Sequence, residues 1–270
     1  MIAKFVLLVG LVVSLVAAGV AQDESRVAAR AELDAGTQAF NEANYESAIG
    51  HFEQAITLEP ELTEAHLYLA ATYAQMFVPG VDTPENVVWA TQALKQYSEI
   101  LRSYPSDIES IKGMAYLELQ LKNFFQAKEN YKKAIALNPK DPELFYAAGV
   151  ADWSIADRDS AAEKDKLDAE DEDALMKSDG CADLRAATFS NVEEGIAMLT
   201  KATALRKDYD DAMAYLNLLY RLRADMECGN KQAQAADVKK ADEWTDRAEE
   251  IKKKRAEAEN KSNQGDTPPR

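Results

Sequence analysis

The chain has 270 residues, of which 47 are acidic and 31 are basic, so its formal net charge is −16 at pH 7. A chain of this charge is repelled by phosphate backbones and anionic lipid surfaces unless a local basic patch compensates. The densest basic cluster, residues 252–255, is flanked by acidic residues and is interpreted as a solvated helix end, so no nucleic-acid partner is predicted.

The first 21 residues predict a secretory signal peptide. Residues 5–20 carry no charge, and Gly19-Val20-Ala21 supplies the small residues at −3 and −1 that signal peptidase favours. A helix of this length spans about 24 Å against a hydrocarbon core of ~30 Å, which favours cleavage over retention as a membrane anchor. We therefore expect export to the periplasm without stable membrane insertion, with secretion or a retained N-terminal tether as alternatives. Residues 22–28 would then form a linker.

Two stretches of the chain are nearly the same: NYESAIGHFEQAITLEP at residues 44–60 and NFFQAKENYKKAIALNP at residues 123–139. In each, an alanine is followed four residues later by an aromatic residue, then by an alanine and a proline. Spacings of four and three keep side chains on one face of a helix, and the proline lies where the helix must stop. The pattern resembles the second helix of a tetratricopeptide repeat. The positions are Ala48, Phe52, Ala55 and Pro60, and Ala127, Tyr131, Ala134 and Pro139.

The first helix of each repeat is located by the position that the motif reserves for a small residue. That position falls at residues 36, 70, 115, 149 and 217, at intervals of 34, 45, 34 and 68. The family period is about 34 residues. The resemblance therefore implies an all-α, right-handed α-solenoid over residues 29–256, with five repeats at about 29–62, 63–107, 108–141, 142–209 and 210–256. Residues 257–270 are expected to form a disordered tail.

The irregular intervals indicate extra residues in the turns between the two helices of repeats two, four and five. Such turns stack along one edge of a solenoid, so the three insertions are expected to project from the same side. In the first insertion, Thr83 is predicted to cap a helix that begins at Pro84. The second, at about 155–186, is strongly acidic and indicates either a solvated helical extension or a partly disordered arm.

The two cysteines fall in the insertions of adjacent repeats: Cys181 in repeat four and Cys228 in repeat five. Because an exported chain with two cysteines on one edge of the fold favours pairing, we predict a disulfide between them. Closing this loop of 47 residues would contribute about 4 kcal/mol in the chain-entropy model. Two buried free thiols are the alternative.

Catalytic and metal-binding patterns are missing from the sequence. It contains no G-x-S-x-G, H-E-x-x-H, P-loop or G-x-G-x-x-G, and its histidines, His51 and His66, lie within repeat helices. The stretch DAEDEDALMKSDG fails as an EF-hand because Asp173 occupies the sixth position after a start at Asp168, where glycine is required. We predict a protein that is not an enzyme, with no catalytic residues, metal or cofactor.

The resemblance to tetratricopeptide proteins implies a binding function, because such proteins bind extended or helical peptides in the groove lined by their first helices. The candidate groove is aromatic and apolar, which suits hydrophobic peptide anchors. A clamp for a peptide C-terminus is not predicted, because Thr37, Ala71 and Tyr116 stand where it needs asparagine. The groove candidates are Phe40, Leu67, Tyr116, Leu119, Tyr146 and Trp153.

The layout also resembles that of exported bacterial tetratricopeptide proteins of unassigned role, through VPGVDTPEN in one repeat and DYDDAMAYLNLLY opening another. This resemblance implies a fold and a compartment and no reaction. We therefore expect an exported scaffold for a protein or peptide partner. A self-assembling structural envelope protein, in which the groove or the insertions contact another copy, is the alternative, and a ligand-binding or catalytic protein is the second alternative.

Overall fold

The computed structural model describes residues 2–166 and 179–265, with side chains over residues 22–165 and 180–258. These ranges contain helices and no strand. The helices are α1 (Ile2–Asn41), α2 (Tyr45–Leu58), α3 (Thr63–Met76), α4 (Pro84–Ser103), α5 (Ile108–Gln120), α6 (Phe124–Leu137), α7 (Pro142–Lys166), α8 (Asp179–Leu205), α9 (Asp210–Asp225) and α10 (Lys231–Gly265). The prediction of an all-α chain is confirmed.

The helix ends follow local chemistry. The Thr83 hydroxyl accepts a hydrogen bond from the Asn86 backbone N–H at 3.3 Å, and Pro84 is the first residue of α4, as the capping pattern indicates. Asp107 caps α5 in the same way through the Ser110 N–H at 2.8 Å. A proline also lies two residues beyond the ends of α2, α4 and α6, where its ring and missing N–H prevent the helix from continuing.

The chain forms two compact units, Met1–Leu121 and Lys122–Arg270. In the first unit α1 packs against α2, α2 against α3, α3 against α4, and α4 against α5. A Cβ atom added at Gly36 of α1 would lie 2.5 Å from the ring of Phe52 on α2, and Phe52 is fully buried. The small residue of the repeat motif therefore allows the aromatic residue of the next helix to lie directly on the helix backbone.

The second unit is organised around the long helices α7 and α8, which pack against each other, with α6 on α7, α9 on α8 and α7, and α10 on α9. A Cβ atom at Gly149 of α7 would lie 2.5 Å from Leu199 of α8, which repeats the contact seen between α1 and α2. The insertion of repeat four lengthens both helices of this pair. Both ends of this insertion are packed, because Ile155 and Ala156 on α7 and Leu184 on α8 are buried. Residues 167–178 lie outside the described residues.

Three sequence predictions concern residues at the edges of the described ranges. The side chains of the predicted signal peptide, residues 1–21, and the residues of the rejected calcium pattern up to 178 lie outside them. Of the predicted tail, residues 257–265 continue α10 and residues 266–270 lie outside. Among the side chains that are described, no helix is both long and apolar enough to cross a membrane.

Candidate functional site

The four groove candidates in the first unit differ in how exposed their side chains are. Phe40 and Leu67 are half-buried and pack against the core of this unit, and the Phe40 ring lies 5.7 Å from that of Tyr45. Leu119 is also half-buried, whereas Tyr116 is 43% exposed. Phe40 and Leu67 thus serve packing, and Tyr116 offers the most open surface of the four.

The two candidates in the second unit, Tyr146 and Trp153, are brought together by a third ring. Tyr215 of α9 lies edge-on to both, with ring centroids 5.8 Å from Tyr146 and 5.2 Å from Trp153. Tyr146 also contacts the buried Tyr209 at 4.9 Å. Burial, with the nearby Tyr215, Asp211 and Glu143, raises the pKa of Tyr146 to about 12, so this ring stays neutral at physiological pH. We call Tyr146, Trp153 and Tyr215 the aromatic face.

A depression of about 240 Å³ adjoins the aromatic face. Its rim is polar at one end, where the Lys164 ammonium lies 2.9 Å from the Asp225 carboxylate. Its other wall is apolar and includes Leu218, which is 41% exposed. We call it the Trp153 depression. Its lining residues are Trp153, Asp157, Ser160, Ala161, Lys164, Leu218, Leu222 and Asp225.

Helical spacing explains why these side chains share one surface. On α7, Trp153 and Asp157 follow Tyr146 at intervals of seven and four; on α9, Tyr215 and Leu218 follow Asp211 at intervals of four and three. Asp157 and Asp211 are exposed, and neither forms a salt bridge with a described residue. The surface therefore has an aromatic and apolar centre with two exposed carboxylates beside it.

A buried ion network supports α7 below this surface. Lys128 of α6 lies 2.5 Å from the Asp152 carboxylate of α7 and 2.7 Å from that of Glu194 on α8, and it donates a hydrogen bond to the Asn191 side chain at 2.9 Å. Lys132 reaches Glu194 from solvent at 2.9 Å. Burial raises the pKa of Asp152 to about 6, although the hydrogen bond from Lys128 opposes that rise.

Sequence reasoning identified Tyr146 and Trp153 but missed their partners. Tyr215 and Leu218 occur in the stretch DYDDAMAYLNLLY, and their helical spacing from Asp211 was the available signal. No role was assigned to Asp152 from the sequence. Nothing in the sequence connects Asp152 with Lys128, which lies on a different helix.

The cysteines are joined in the structure by a disulfide between Cys181 on α8 and Cys228 in the turn after α9. Cys181 is buried and Cys228 is exposed. The same turn is held to α8 by Arg185, whose guanidinium donates to the Met226 carbonyl oxygen at 3.1 Å. The link therefore joins α8 to the end of α9 that carries Asp225 of the Trp153 depression.

The histidines make structural contacts. His66 donates from Nε2 to the Pro60 carbonyl oxygen at 2.9 Å, and its Nδ1 lies 2.7 Å from the side-chain amide of Gln96. The Nδ1 atom of His51 lies 2.7 Å from the Glu32 carboxylate. Within the described residues, no group of three or more His, Cys, Asp or Glu side chains could hold a metal ion.

Several solved structures have a similar arrangement of helices. A crystal structure of MamA protein aligns with a TM-score of 0.58 at 13% identity, covering 85% of this chain and 94% of that one. MamA 41-end from Desulfovibrio magneticus RS-1 aligns with a TM-score of 0.57 at 15% identity, covering 84% of this chain and 96% of that one. YrrB, described as a TPR protein with an unusual peptide-binding site, aligns with a TM-score of 0.53 at 13% identity, covering 82% of this chain and 90% of that one.

The chain has the tetratricopeptide-repeat fold. The predicted α-solenoid fold class is thereby confirmed, and the contacts of Gly36 with Phe52 and of Gly149 with Leu199 show the helix-on-helix packing on which its repeat pattern depends. No family model matches the sequence, and no curated protein matches it.

Proposed function

We propose that this protein is an exported, non-catalytic scaffold that binds a protein or peptide partner through the aromatic face and the Trp153 depression. The observation that carries the proposal is the clustering of three half-buried rings beside a depression with an exposed leucine, Leu218. Aromatic side chains next to a pocket are the usual anchors of protein interfaces, because they contribute large contact area at low entropic cost.

Two further observations support the interaction role. YrrB, which shares the fold, is described as having a peptide-binding site. The side chains of Asp157, Asp211 and Leu218 around the rings are exposed, so a partner can reach this surface.

Export is the part of the proposal that rests on the N-terminal sequence. The uncharged run at residues 5–20 and the small residues before position 22 are typical of a secretory signal. The disulfide between Cys181 and Cys228 is compatible with an oxidising compartment such as the periplasm, where disulfides persist. N-terminal sequencing of the protein purified from its native host tests this part directly, and a chain that begins at Gln22 is the expected result.

The interaction is tested by site-specific photocrosslinking in the native host. A benzoylphenylalanine in place of Leu218, at the Trp153 depression, is compared with one in place of Phe125, which is 64% exposed on α6. We expect a discrete crosslinked product from position 218 that is missing from position 125. The partner, identified by mass spectrometry and purified, should then bind the wild type and Phe125→Ser equally well.

The binding variant is Trp153→Leu with Leu218→Ser, which removes the ring and the exposed leucine while keeping an apolar side chain on α7. We expect it to weaken binding of the purified partner by at least tenfold, because hot-spot residues typically contribute 2 kcal/mol or more. Unchanged binding by the folded double variant would contradict the proposed site. A crosslink at position 218 to a second copy of the chain would instead favour the self-assembling structural role.

A further inference from the structure

Two exposed carboxylates flank the aromatic face. Asp157 follows Trp153 by one helical turn on α7, and Asp211 precedes Tyr215 by one turn on α9. Both carboxylates are exposed and form no salt bridge within the described residues. The one basic residue that lines the depression, Lys164, is paired with Asp225 at 2.9 Å. The surface therefore presents rings and aliphatic side chains between two exposed carboxylates.

We propose that the partner presents a basic segment to this surface, in which Lys or Arg side chains alternate with aliphatic residues. The inference rests on the proposed binding function and specifies the chemistry of the partner. It disfavours acidic segments, because these would meet the carboxylates of Asp157 and Asp211.

Each component of the surface suits such a segment. The electron-rich faces of Trp153, Tyr146 and Tyr215 attract ammonium and guanidinium groups, and the methylene stems of Lys and Arg pack on apolar walls while their charged ends remain in water. The Trp153 depression, at about 240 Å³, accommodates one aliphatic side chain or one such stem. Asp157 and Asp211 then lie where the cationic ends emerge. The net charge of −16 adds a long-range attraction for basic partners.

The test is a selection from an unbiased library of displayed 12-residue peptides against the mature protein. Peptides that also bind Trp153→Leu, Leu218→Ser are removed, so those retained depend on the aromatic face. We expect Lys, Arg and aliphatic residues to be enriched in the retained peptides. Their affinities are then measured by fluorescence anisotropy for the wild type and for two charge variants with the same net change of +2.

The first charge variant is Asp157→Asn with Asp211→Asn. The second, the matched control, is Asp183→Asn with Asp246→Asn, two exposed residues of the same unit that line neither the aromatic face nor the Trp153 depression. We expect the first to weaken binding by about tenfold, since two exposed ion pairs are lost, and the loss to shrink at high salt. The control should change affinity by less than twofold.

The outcomes separate this inference from the proposed function. Retained peptides of neutral or acidic composition, or equal binding by both charge variants, would overturn the basic-partner inference and leave the aromatic face as a binding site. A selection that retains no peptide dependent on Trp153 would overturn the inference, while the crosslink at position 218 would still decide the proposed function independently.

Discussion

Replacing Lys128 by Met should destabilise the second unit by an amount that depends strongly on pH. In the wild type the Asp152 side chain is 1% exposed and its carboxylate lies 2.5 Å from the Lys128 ammonium. Removing one partner of a buried ion pair typically costs 3–5 kcal/mol, because the remaining charge is left in a medium of low polarity. Here the remaining Asp152 carboxylate would face Glu194, a second negative charge that also contacts Lys128.

The pH dependence follows from the raised pKa of Asp152. Its pKa of about 6 in the folded state exceeds the ordinary value of 3.8, so between these limits the folded protein keeps a proton that the unfolded chain releases. Stability from this carboxyl group is therefore present below pH 3.8 and is lost as pH rises through 6, by about 3 kcal/mol. In Lys128→Met the pKa of Asp152 rises further, because the neighbouring positive charge is gone. The free energy of unfolding of this variant should lie about 3–5 kcal/mol below that of the wild type at pH 8. At pH 4.5, where Asp152 is neutral in both proteins, the difference should fall below about 1 kcal/mol.

The assay is urea unfolding followed by tryptophan fluorescence in a Trp89→Phe background, which leaves the signal to the two tryptophans of the second unit. Lys132→Met is the matched control, because Lys132 pairs with the same Glu194 but is 41% exposed. Its expected cost is within about 1 kcal/mol at both pH values. A deficit for Lys128→Met that is the same at pH 4.5 and pH 8, or no larger than that of the control, would refute the reasoning.

Three further predictions concern stability. Gly36→Ala places a methyl group against the buried ring of Phe52 and should lower the free energy of unfolding by about 1–3 kcal/mol. Gly50→Ala on α2 has open space around it and should raise the free energy of unfolding by roughly 0.5–1 kcal/mol. Thermal unfolding measures both, and a loss of stability at both positions would contradict the packing argument. Replacing Cys181 and Cys228 together by Ser should cost about 2–4 kcal/mol, and a reductant that lowers the melting temperature of the wild type but not of this variant would assign the effect to the disulfide. Asn86→Ala removes side-chain hydrogen bonds of 2.7–2.8 Å that hold the turn between α3 and α4, so limited proteolysis should cleave that turn faster, and unchanged cleavage would show that the turn is held by other contacts.

The sequence by itself determined that the chain is helical and where several helices begin and end. An alanine, an aromatic residue and an alanine at helical spacing, a proline beyond them, and a threonine before Pro84 act within a few residues of one another. Their effects on backbone conformation are local, so they are readable without knowledge of the fold. The same pattern located Gly36, whose contact with Phe52 requires only that the next helix folds back.

Tertiary structure alone decided how the distant side chains meet. Acidic composition in repeat four left both a solvated helical extension and a partly disordered arm open. In the structure α7 continues through Lys166, with Ile155 and Ala156 buried and Lys164 paired with Asp225 of α9. Whether Tyr215 reaches Trp153, or Lys128 reaches Asp152, depends on the register and spacing of whole helices. Those quantities are set by the sum of many small packing contacts, which no short stretch of sequence contains.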